Sequence, residues 1–275
     1  IFYCIDNMSE SSVSAYKLKH WENEFFKNSD LVMCTSKEIL SNAKKLNENS
    51  FYAPSGVDFE KFENIRLNQN AKKPNDLPEK GKIIGFIGSL RNILNKDLIY
   101  KICEEIKDAK LVLIGPTVDG FKLEKRKNLL VLGSKNHDDI PLYVKYFDVA
   151  IIPYLKNKFT DSIYPTKINE YLAMGKPVIS TDIKEVENFN LDHQGIVKIS
   201  KDNNEFIKNI KQSITFDSDT DKKLFIETAK KNSWKNRFQL ISNGLEKHLY
   251  IKEQSVEDWQ LYIKYFINRT RNKLI

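Results

Sequence analysis

Residues 162–181 read S-I-Y-P-T-K-I-N-E-Y-L-A-M-G-K-P-V-I-S-T. Pro165 is a residue type that favours the first turn of a helix, and Gly175 is typical of the position just past a helix end. The next run, Pro177–Ser180, is apolar enough for a buried strand. The stretch therefore predicts a short helix that leads directly into a strand of a covered sheet.

The first turn of this predicted helix carries two charged side chains on one face. Lys167 and Glu170 are three residues apart, a spacing that makes side chains neighbours on a helix. A cation near a helix N-terminus opposes the helix dipole, so a bound anion would account for Lys167. Glu170 could then accept hydrogen bonds from sugar hydroxyls. An ordinary surface pair between the two side chains explains the same spacing without a ligand.

Outward from this stretch, apolar strand-like runs alternate with helical patterns. The runs are continuously apolar, which is typical of parallel strands covered by helices on both faces. The sequence thus predicts an α/β fold with doubly wound, Rossmann-like parallel sheets. The predicted strands are Ile1–Ile5, Leu31–Thr35, Ser50–Ala53, Lys82–Ile87, Lys110–Ile114, Leu129–Leu132, Val149–Pro153, Pro177–Ser180 and Gly195–Ile199. The predicted helices are Ser14–Lys27, Ser36–Leu46, Asn95–Lys107, Asp138–Phe147, Thr166–Met174, Asn204–Ile214, Asp221–Lys231, Trp234–Leu249 and Val256–Asn272.

The composition changes over residues 59–81, where Asn, Lys, Glu and Pro dominate, and this stretch is the predicted linker. Residues 1–58 are then expected to be the remainder of a first Rossmann-like domain, because the sequence opens inside a strand-like run. Residues 82–234 form the second such domain, and residues 235–275 add C-terminal helices. We expect a chain of this make-up to bind a ligand in its second domain without completing a reaction.

The 275 residues carry 44 Lys and Arg against 37 Asp and Glu, a net charge of +7. This excess suits an anionic ligand or an acidic membrane surface, and a solubilising lysine-rich surface explains it equally well. Nucleic-acid binding is not expected, since neither a dense basic stripe nor interleaved stacking aromatics occurs. No apolar run reaches the roughly 20 residues of a membrane span. Three dispersed cysteines, without metal-ligand or disulfide spacing, favour a reducing, cytoplasmic setting.

A second candidate binding segment, G-F-I-G-S-L-R, spans residues 85–91 and follows a predicted strand. Ligands of open parallel sheets bind beyond the carboxyl ends of the strands, where glycines allow close approach to the backbone. The helix after such a loop offers N–H groups to an anion. The G-x-G-x-x-G dinucleotide fingerprint is absent, and a tight turn without a ligand is the simpler explanation.

The run P-T-K-I-N-E-Y-L-A-M-G-K-P-V-I-S-T resembles the donor-binding segment of GT-B glycosyltransferases, in particular the group 1, family 4-like enzymes that build bacterial surface polysaccharides. Other segments agree in order, namely A-P-S-G-V-D-F-E-K-F, I-G-F-I-G-S-L, L-V-L-I-G-P, L-L-V-L-G and D-V-A-I-I-P-Y. The segments I-F-Y-C-I-D and E-N-E-F-F-K-N-S-D-L-V-M-C-T-S resemble the end of the family's N-terminal domain. The resemblance covers residues 1–249 and identifies the family but not the sugar.

The resemblance implies roles for individual residues. Glu170 matches the glutamate that holds the ribose of the donor nucleotide, and the stretch after Gly133 lies where the base is held. No residue is assigned to catalysis. The residues expected to face the donor diphosphate are Gly88, Ser89, Arg91, Thr166 and Lys167, with Lys96 as a looser match for a second cation.

One position departs from the family pattern. Many members have a second glutamate eight residues before the ribose-binding one, near the donor sugar, and Ser162 stands there in this chain. Asp161 is adjacent to it, but a neighbouring residue need not point the same way. The sugar contact, rather than the family, is therefore in question. The four histidines have no triad-like or metal-like arrangement and are not assigned to catalysis.

The resemblance implies a hexosyltransferase-type enzyme that moves sugar from a nucleotide-diphosphate sugar, with UDP or GDP, to a glycan or lipid-linked acceptor in polysaccharide synthesis. It further implies retention of anomeric configuration, with no metal and no cofactor apart from the donor substrate. Two alternatives stay open. One is a non-catalytic GT-B subunit that binds a glycan or a partner enzyme, and the other is a sugar-nucleotide epimerase.

The predicted helix Val256–Asn272 has an apolar stripe that includes Trp259 and Phe266, next to four basic residues. Packing of this stripe on the protein is the preferred prediction, because large aromatic side chains are stabilised by burial without a membrane. Peripheral contact with the anionic inner face of the cell membrane is the alternative.

Overall fold

The computed structural model describes residues 1–11, 13–215 and 218–253 of the chain. Two compact units are present, Ile1–Arg237 and Phe238–Ile275. The first unit contains two parallel β-sheets, and the second is described as the continuation of the last helix to Glu253. The predicted helix Val256–Asn272 lies outside the described residues.

The strands confirm the predicted α/β class with parallel sheets. They are β1 (Phe2–Cys4), β2 (Val32–Cys34), β3 (Ser50–Tyr52), β4 (Lys82–Ile87), β5 (Ala109–Ile114), β6 (Leu129–Val131), β7 (Val149–Ile152), β8 (Val178–Thr181) and β9 (Lys198–Ser200). The first sheet has the order β1-β2-β3, and the second has the order β6-β5-β4-β7-β8-β9. From β4 the chain adds β5 and β6 on one side and then β7, β8 and β9 on the other. Open α/β sheets form a ligand crevice at such a reversal of strand order, which lies here between β4 and β7.

Helices cover both sheets. Two short 3-10 helices, Met8–Glu10 and Val13–Lys17, lie between β1 and α1. In the described residues they are α1 (Leu18–Asn28), α2 (Lys37–Lys44), α3 (Phe59–Leu67), α4 (Lys96–Glu105), α5 (Ile140–Lys145), α6 (Lys158–Asp161), α7 (Lys167–Ala173), α8 (Lys184–Asp192), α9 (Asn203–Ser213), α10 (Asp219–Lys231) and α11 (Trp234–Glu253). The short α6 and the whole of α8 are absent from the elements that the sequence predicted.

The core of the second sheet explains the continuous apolar runs. Strand β4 is central, and its Ile84 is paired with Leu111 of β5 and Val149 of β7. All four residues of β7 are buried, as are five of the six in β4. Because helices cover both faces, side chains on either side of these strands leave water, and alternation with polar residues is not needed.

The stretch predicted as a linker begins with a helix. Asp58 caps α3 by accepting a hydrogen bond from the Lys61 N–H at 3.3 Å. Phe59 and Phe62 are buried in the main core, so this segment is part of the packed structure. The predicted limits of the domains remain a prediction.

Helices α2 and α8, which belong to the first and the second sheet, are joined by polar contacts within the first unit. The carboxylate of Glu185, at the start of α8, accepts a hydrogen bond at 3.0 Å from the Glu38 N–H in the first turn of α2. The Lys37 ammonium forms an ion pair with Asp192 at 2.6 Å. The Glu185 side chain of α8 thus accepts from a backbone N–H group at the N-terminus of α2 that has no partner within its own helix.

The three cysteines are free and buried. Among the described residues, no helix is both long enough and apolar enough to cross a bilayer.

Candidate active site

Two glycines bring the ends of β4 and β5 together. Gly88 follows β4 with φ of 145° and donates its N–H to the carbonyl of Ile114 at 2.9 Å. Gly115 follows β5 with φ of 148°, and a Cβ placed on it would lie 2.1 Å from the Gly88 carbonyl oxygen. No larger residue than glycine fits at position 115, because its Cβ would collide with the Gly88 backbone. The positive φ of Gly88 also favours glycine in the loop after β4.

Lys167, in the first turn of α7, lies directly against this loop. A Cβ on Gly88 would be 3.1 Å from Lys167 Cε and 3.6 Å from its Nζ. The ammonium donates a hydrogen bond to the hydroxyl of Tyr154 at 2.6 Å and lies 5.7 Å from the centroid of the Phe86 ring. The two predicted diphosphate segments are therefore in contact, although 79 residues separate Gly88 from Lys167 along the chain.

Glu170 lies one turn further along α7 with a side chain that is 20% exposed. Burial raises the pKa of its carboxyl group, while the charges of Lys167, His137 and Lys61 act to lower it. The His137 Nε2 atom is 3.9 Å away, and within the described residues no hydrogen bond to this carboxylate is found. Its oxygens are thus available to the hydroxyls of a ligand.

The other predicted site residues have surroundings of their own. Ser89 and Thr166 are exposed. Arg91 has its guanidinium 5.8 Å from the Phe159 ring centroid and its Nε atom 3.6 Å from Asp119. Lys96, the looser candidate, has its ammonium 4.6 Å from the Phe121 ring centroid.

Some of the N–H groups in the first turn of α7, which an α-helix normally leaves without a partner, are already hydrogen-bonded. Ile168 donates its N–H to the carbonyl of Pro165 at 3.0 Å, and Asn169 donates to Thr166 at 3.1 Å. These tight-turn bonds occupy two donors, and the Thr166 side chain makes no cap bond. Positive charge at this end of α7 therefore comes mainly from the Lys167 side chain.

The loop after β6 lies beside both segments. The carbonyl of Gly133 accepts a hydrogen bond from the Gly115 N–H at 2.9 Å. His137, further along this loop, has its Nδ1 atom 3.1 Å from the Lys61 ammonium. The stretch where the resemblance puts the nucleotide base is thus next to Glu170, the expected ribose ligand.

Ser162 does not face the site. Its side chain is fully buried, and its hydroxyl donates to the Phe159 carbonyl at 2.7 Å. The neighbouring Asp161 accepts a hydrogen bond from the Lys184 N–H at 3.0 Å. Both side chains thus form hydrogen bonds within the protein.

Two further residues of the site end the segments D-V-A-I-I-P-Y and I-F-Y-C-I-D, and the sequence assigned neither of them a role. Tyr154, after β7, contacts Lys167 as described. Asp6 follows β1 of the first sheet, and the positive charges of Arg91 and Lys167 act on its half-buried carboxyl group. Burial raises the pKa of Asp6, and those two cations oppose that rise. The separation of Asp6 from both cations along the chain hides this relationship from any local pattern.

No group of three or more His, Cys, Asp or Glu side chains suited to a metal ion occurs in the part of the chain that the structure describes. The site as built consists of a glycine loop, two cations, a carboxylate and a tyrosine. Such a set can hold a diphosphate and a polyhydroxyl group side by side.

Comparison with protein families identifies the segment that holds this site. Residues 81–215 match the family model for glycosyl transferases group 1. This segment is a group 1 glycosyltransferase domain. All six residues predicted to contact the donor fall within it.

One curated relative of the glycosyltransferase domain comes from Bacillus subtilis (strain 168). It is a candidate teichuronic acid biosynthesis glycosyltransferase, TuaH, and is 26% identical over 176 residues. The match covers 60% of this chain and 44% of the relative, so the chain spans less than half of the length of that protein.

Solved structures confirm the GT-B type of fold. Trehalose 6-phosphate synthase from Burkholderia multivorans aligns with a TM-score of 0.70 at 10% identity, over 91% of this chain and 66% of that one. Sucrose-phosphate synthase from Thermosynechococcus elongatus gives 0.66 at 14% identity, over 90% and 64%. Anabaena HepE, solved in complex with UDP and glucose, gives 0.66 at 15% identity, over 89% and 70%.

Proposed function

We propose that this chain belongs to an enzyme that transfers a hexose from a nucleotide-diphosphate sugar to a glycan or lipid-linked acceptor. The contact between Lys167 and the Gly88 loop carries this proposal, because it places a cation against a glycine backbone at the carboxyl end of β4. Glu170 adds a carboxylate without a protein hydrogen bond in the described structure, suited to the ribose of the donor.

The charge of the leaving diphosphate would be stabilised by Lys167 and Arg91. Fixed cations in a partly buried site stabilise developing negative charge without reorganisation at the moment of reaction. We propose that the transfer retains the anomeric configuration and needs no metal ion or cofactor, with a UDP- or GDP-sugar as the donor substrate.

The name of the Bacillus subtilis relative supports a place in cell-surface polysaccharide synthesis for this protein also. A cytoplasmic location fits such a role, since nucleotide sugars are the substrate. Peripheral contact of residues 256–272 with an anionic membrane is a secondary proposal. Flotation with anionic vesicles at low salt, with and without residues 252–275, tests it, and equal flotation of the two forms contradicts it.

A thermal-shift screen with UDP-, GDP-, ADP- and CMP-sugars tests the donor class. We expect one nucleotide to raise the melting temperature, and Lys167→Met to abolish that rise. If none of the four stabilises the wild-type chain, the proposal fails.

The alternative of a non-catalytic binding subunit rests on Ser162 in place of glutamate. Release of the free nucleoside diphosphate from the donor by the full-length protein distinguishes an enzyme from a binding subunit. Binding of the donor without any release over hours would favour the binding subunit, and formation of an epimeric nucleotide sugar would favour the epimerase.

A further inference from the structure

Tyr154 is a buried residue that contacts Lys167 in the site. It follows β7 in the D-V-A-I-I-P-Y segment and is 5% exposed. The hydroxyl oxygen accepts the hydrogen bond of the Lys167 ammonium at 2.6 Å. The ammonium also lies 5.1 Å from the centroid of the same ring, so the two side chains form one unit.

The proton of this hydroxyl must point away from Lys167. A tyrosine hydroxyl has one hydrogen to donate, and an ammonium group has no lone pair to receive it. In the described part of the chain, no acceptor for the Tyr154 hydrogen is found. The hydroxyl therefore has one partner, Lys167, and keeps a hydrogen that it can donate to a ligand.

The backbone and ring of Tyr154 are held in place by neighbouring strands. The Thr181 hydroxyl donates to the Tyr154 carbonyl at 2.8 Å. The Phe86 ring meets the Tyr154 ring edge-on with centroids 6.3 Å apart. A hydroxyl fixed in this way is preorganised, because little side-chain freedom is lost when it binds a ligand.

The hydroxyl and the Gly88 loop share Lys167 as their common neighbour. The Lys167 Nζ atom is 3.6 Å from the position that a Gly88 Cβ would occupy, and 2.6 Å from the Tyr154 oxygen. An anion that binds Lys167 over the loop therefore lies within reach of the tyrosine hydrogen.

We propose that Tyr154 is a phosphate-binding residue of the donor site. Its hydroxyl donates a hydrogen bond to a non-bridging oxygen of the diphosphate, while a lone pair of the same oxygen accepts the hydrogen bond of Lys167, so that the hydrogen points away from the ammonium. The proposal rests on the proposed function of this site. It adds a neutral donor to the cations that hold the diphosphate.

Tyr154→Phe tests the role, because it removes the hydroxyl and keeps the ring. Isothermal titration with inorganic pyrophosphate measures binding of the diphosphate group alone, without a contribution from ribose or nucleobase. We expect the affinity for pyrophosphate, and for whichever of UDP and GDP binds, to fall about tenfold or more, the scale of a hydrogen bond to a charged group. The affinity for the matching nucleoside, which lacks phosphate, should not change.

Tyr146→Phe is the matched control. Its hydroxyl donates to the Ala71 carbonyl at 2.6 Å, so the variant also loses one tyrosine hydrogen bond. We expect it to leave pyrophosphate affinity unchanged. In a double-mutant cycle, Tyr154→Phe and Lys167→Met should cost less together than the sum of their separate effects, because they disrupt one unit.

A second measurement uses the wild-type protein labelled with 13C at the tyrosine Cζ. One resonance should shift on addition of pyrophosphate and not on addition of the nucleoside. Unchanged pyrophosphate affinity in Tyr154→Phe, or an equal loss of nucleoside affinity, overturns the role of Tyr154 alone. If the wild-type chain binds neither pyrophosphate nor any nucleotide, the proposed function fails and this role fails with it.

Discussion

Lys167 and Glu170 share one face of α7 but have separate partners. The Lys167 ammonium donates to the Tyr154 hydroxyl at 2.6 Å, whereas the carboxylate of Glu170 has the His137 Nε2 atom as its neighbour at 3.9 Å. No ion pair between them occurs in the described structure. A simple surface pair therefore does not explain why these two residue types occupy the first turn of α7.

Glu170→Gln should weaken nucleotide binding by about 1–3 kcal/mol, the range for a lost hydrogen bond to a charged group. Folding stability should change little, because the carboxylate has no hydrogen bond to protein that the substitution would break. Isothermal titration with the nucleotide found in the screen measures the effect. Glu105→Gln, on α4, controls for the loss of one carboxylate. Nucleotide affinity that survives Glu170→Gln would rule out the ribose-binding role.

Gly115→Ala should destabilise the protein and disturb the Gly88 loop. The new Cβ would lie 2.1 Å from the Gly88 carbonyl oxygen, so the backbone of one of the two loops must move. Overpacking of this kind costs about 1–3 kcal/mol, in addition to the strain of the positive φ.

Gly120→Ala is a comparison variant that has a positive φ but lacks the close contact. Gly120 also has a positive φ, 65°, but no atom lies within 4 Å of its Cβ position. Urea unfolding should show a larger loss of stability for Gly115→Ala, and pyrophosphate binding should weaken only in that variant. Equal losses in the two variants would contradict the close contact between the loops.

Lys176 should make the unfolding free energy depend on pH in the alkaline range. Burial lowers the pKa of its ammonium from 10.5 to about 8, although Asp148 opposes the change. The group is therefore deprotonated in the folded state before it is in the unfolded state, so its contribution to stability rises from about pH 8 to pH 10.5. The full rise is on the order of 3 kcal/mol.

Urea unfolding of the wild type and Lys176→Met at pH 7.5, 9 and 10 measures this effect. The stability of the wild type relative to the variant should increase with pH. The exposed Lys72→Met corrects for the loss of one positive charge. A difference that stays constant over this range would show that the Lys176 ammonium is well hydrated.

Glu185 should produce a pH dependence in the acidic to neutral range. Burial raises the pKa of this carboxyl group, while the N–H groups of Glu38 and Lys37 and the amide of Asn188 act to lower it. Its contribution is complete below the ordinary pKa of 4.5 and is lost as the pH rises through the raised value. The wild type should therefore lose stability relative to Glu185→Gln over this rise.

Urea unfolding at pH 4.5, 6 and 7.5 checks the relative stability of these two proteins. Glu187→Gln, on the same helix, corrects for the removal of one carboxylate. An increase in the relative stability of the wild type with pH would mean that the hydrogen bonds to Glu185 outweigh its burial.

Local patterns determined the secondary structure and the class of sheet. Continuous apolar runs such as Val149–Ile152 predicted strands buried on both faces, and Pro165 with Gly175 bounded the helix that carries Lys167 and Glu170. These predictions succeed because the hydrophobic period and the cap residues act over only a few neighbouring positions. The helix α3 was missed, since a composition rich in Asn, Lys and Pro outweighed the spacing of Phe59 and Phe62.

The glycosyltransferase family, and the fold that it implies, could also be predicted from the order of the motifs. Which side chains meet in the site could not. Tyr154 and Lys167 are 13 residues apart, and Asp6 and Arg91 come from different sheets. Gly88 and Gly115 end two neighbouring strands. The contacts of Lys167 with Tyr154 and of Gly88 with Gly115 exist because the strand order places the carboxyl ends of β4, β5 and β7 side by side. That order is set by packing across the whole domain rather than by any short segment.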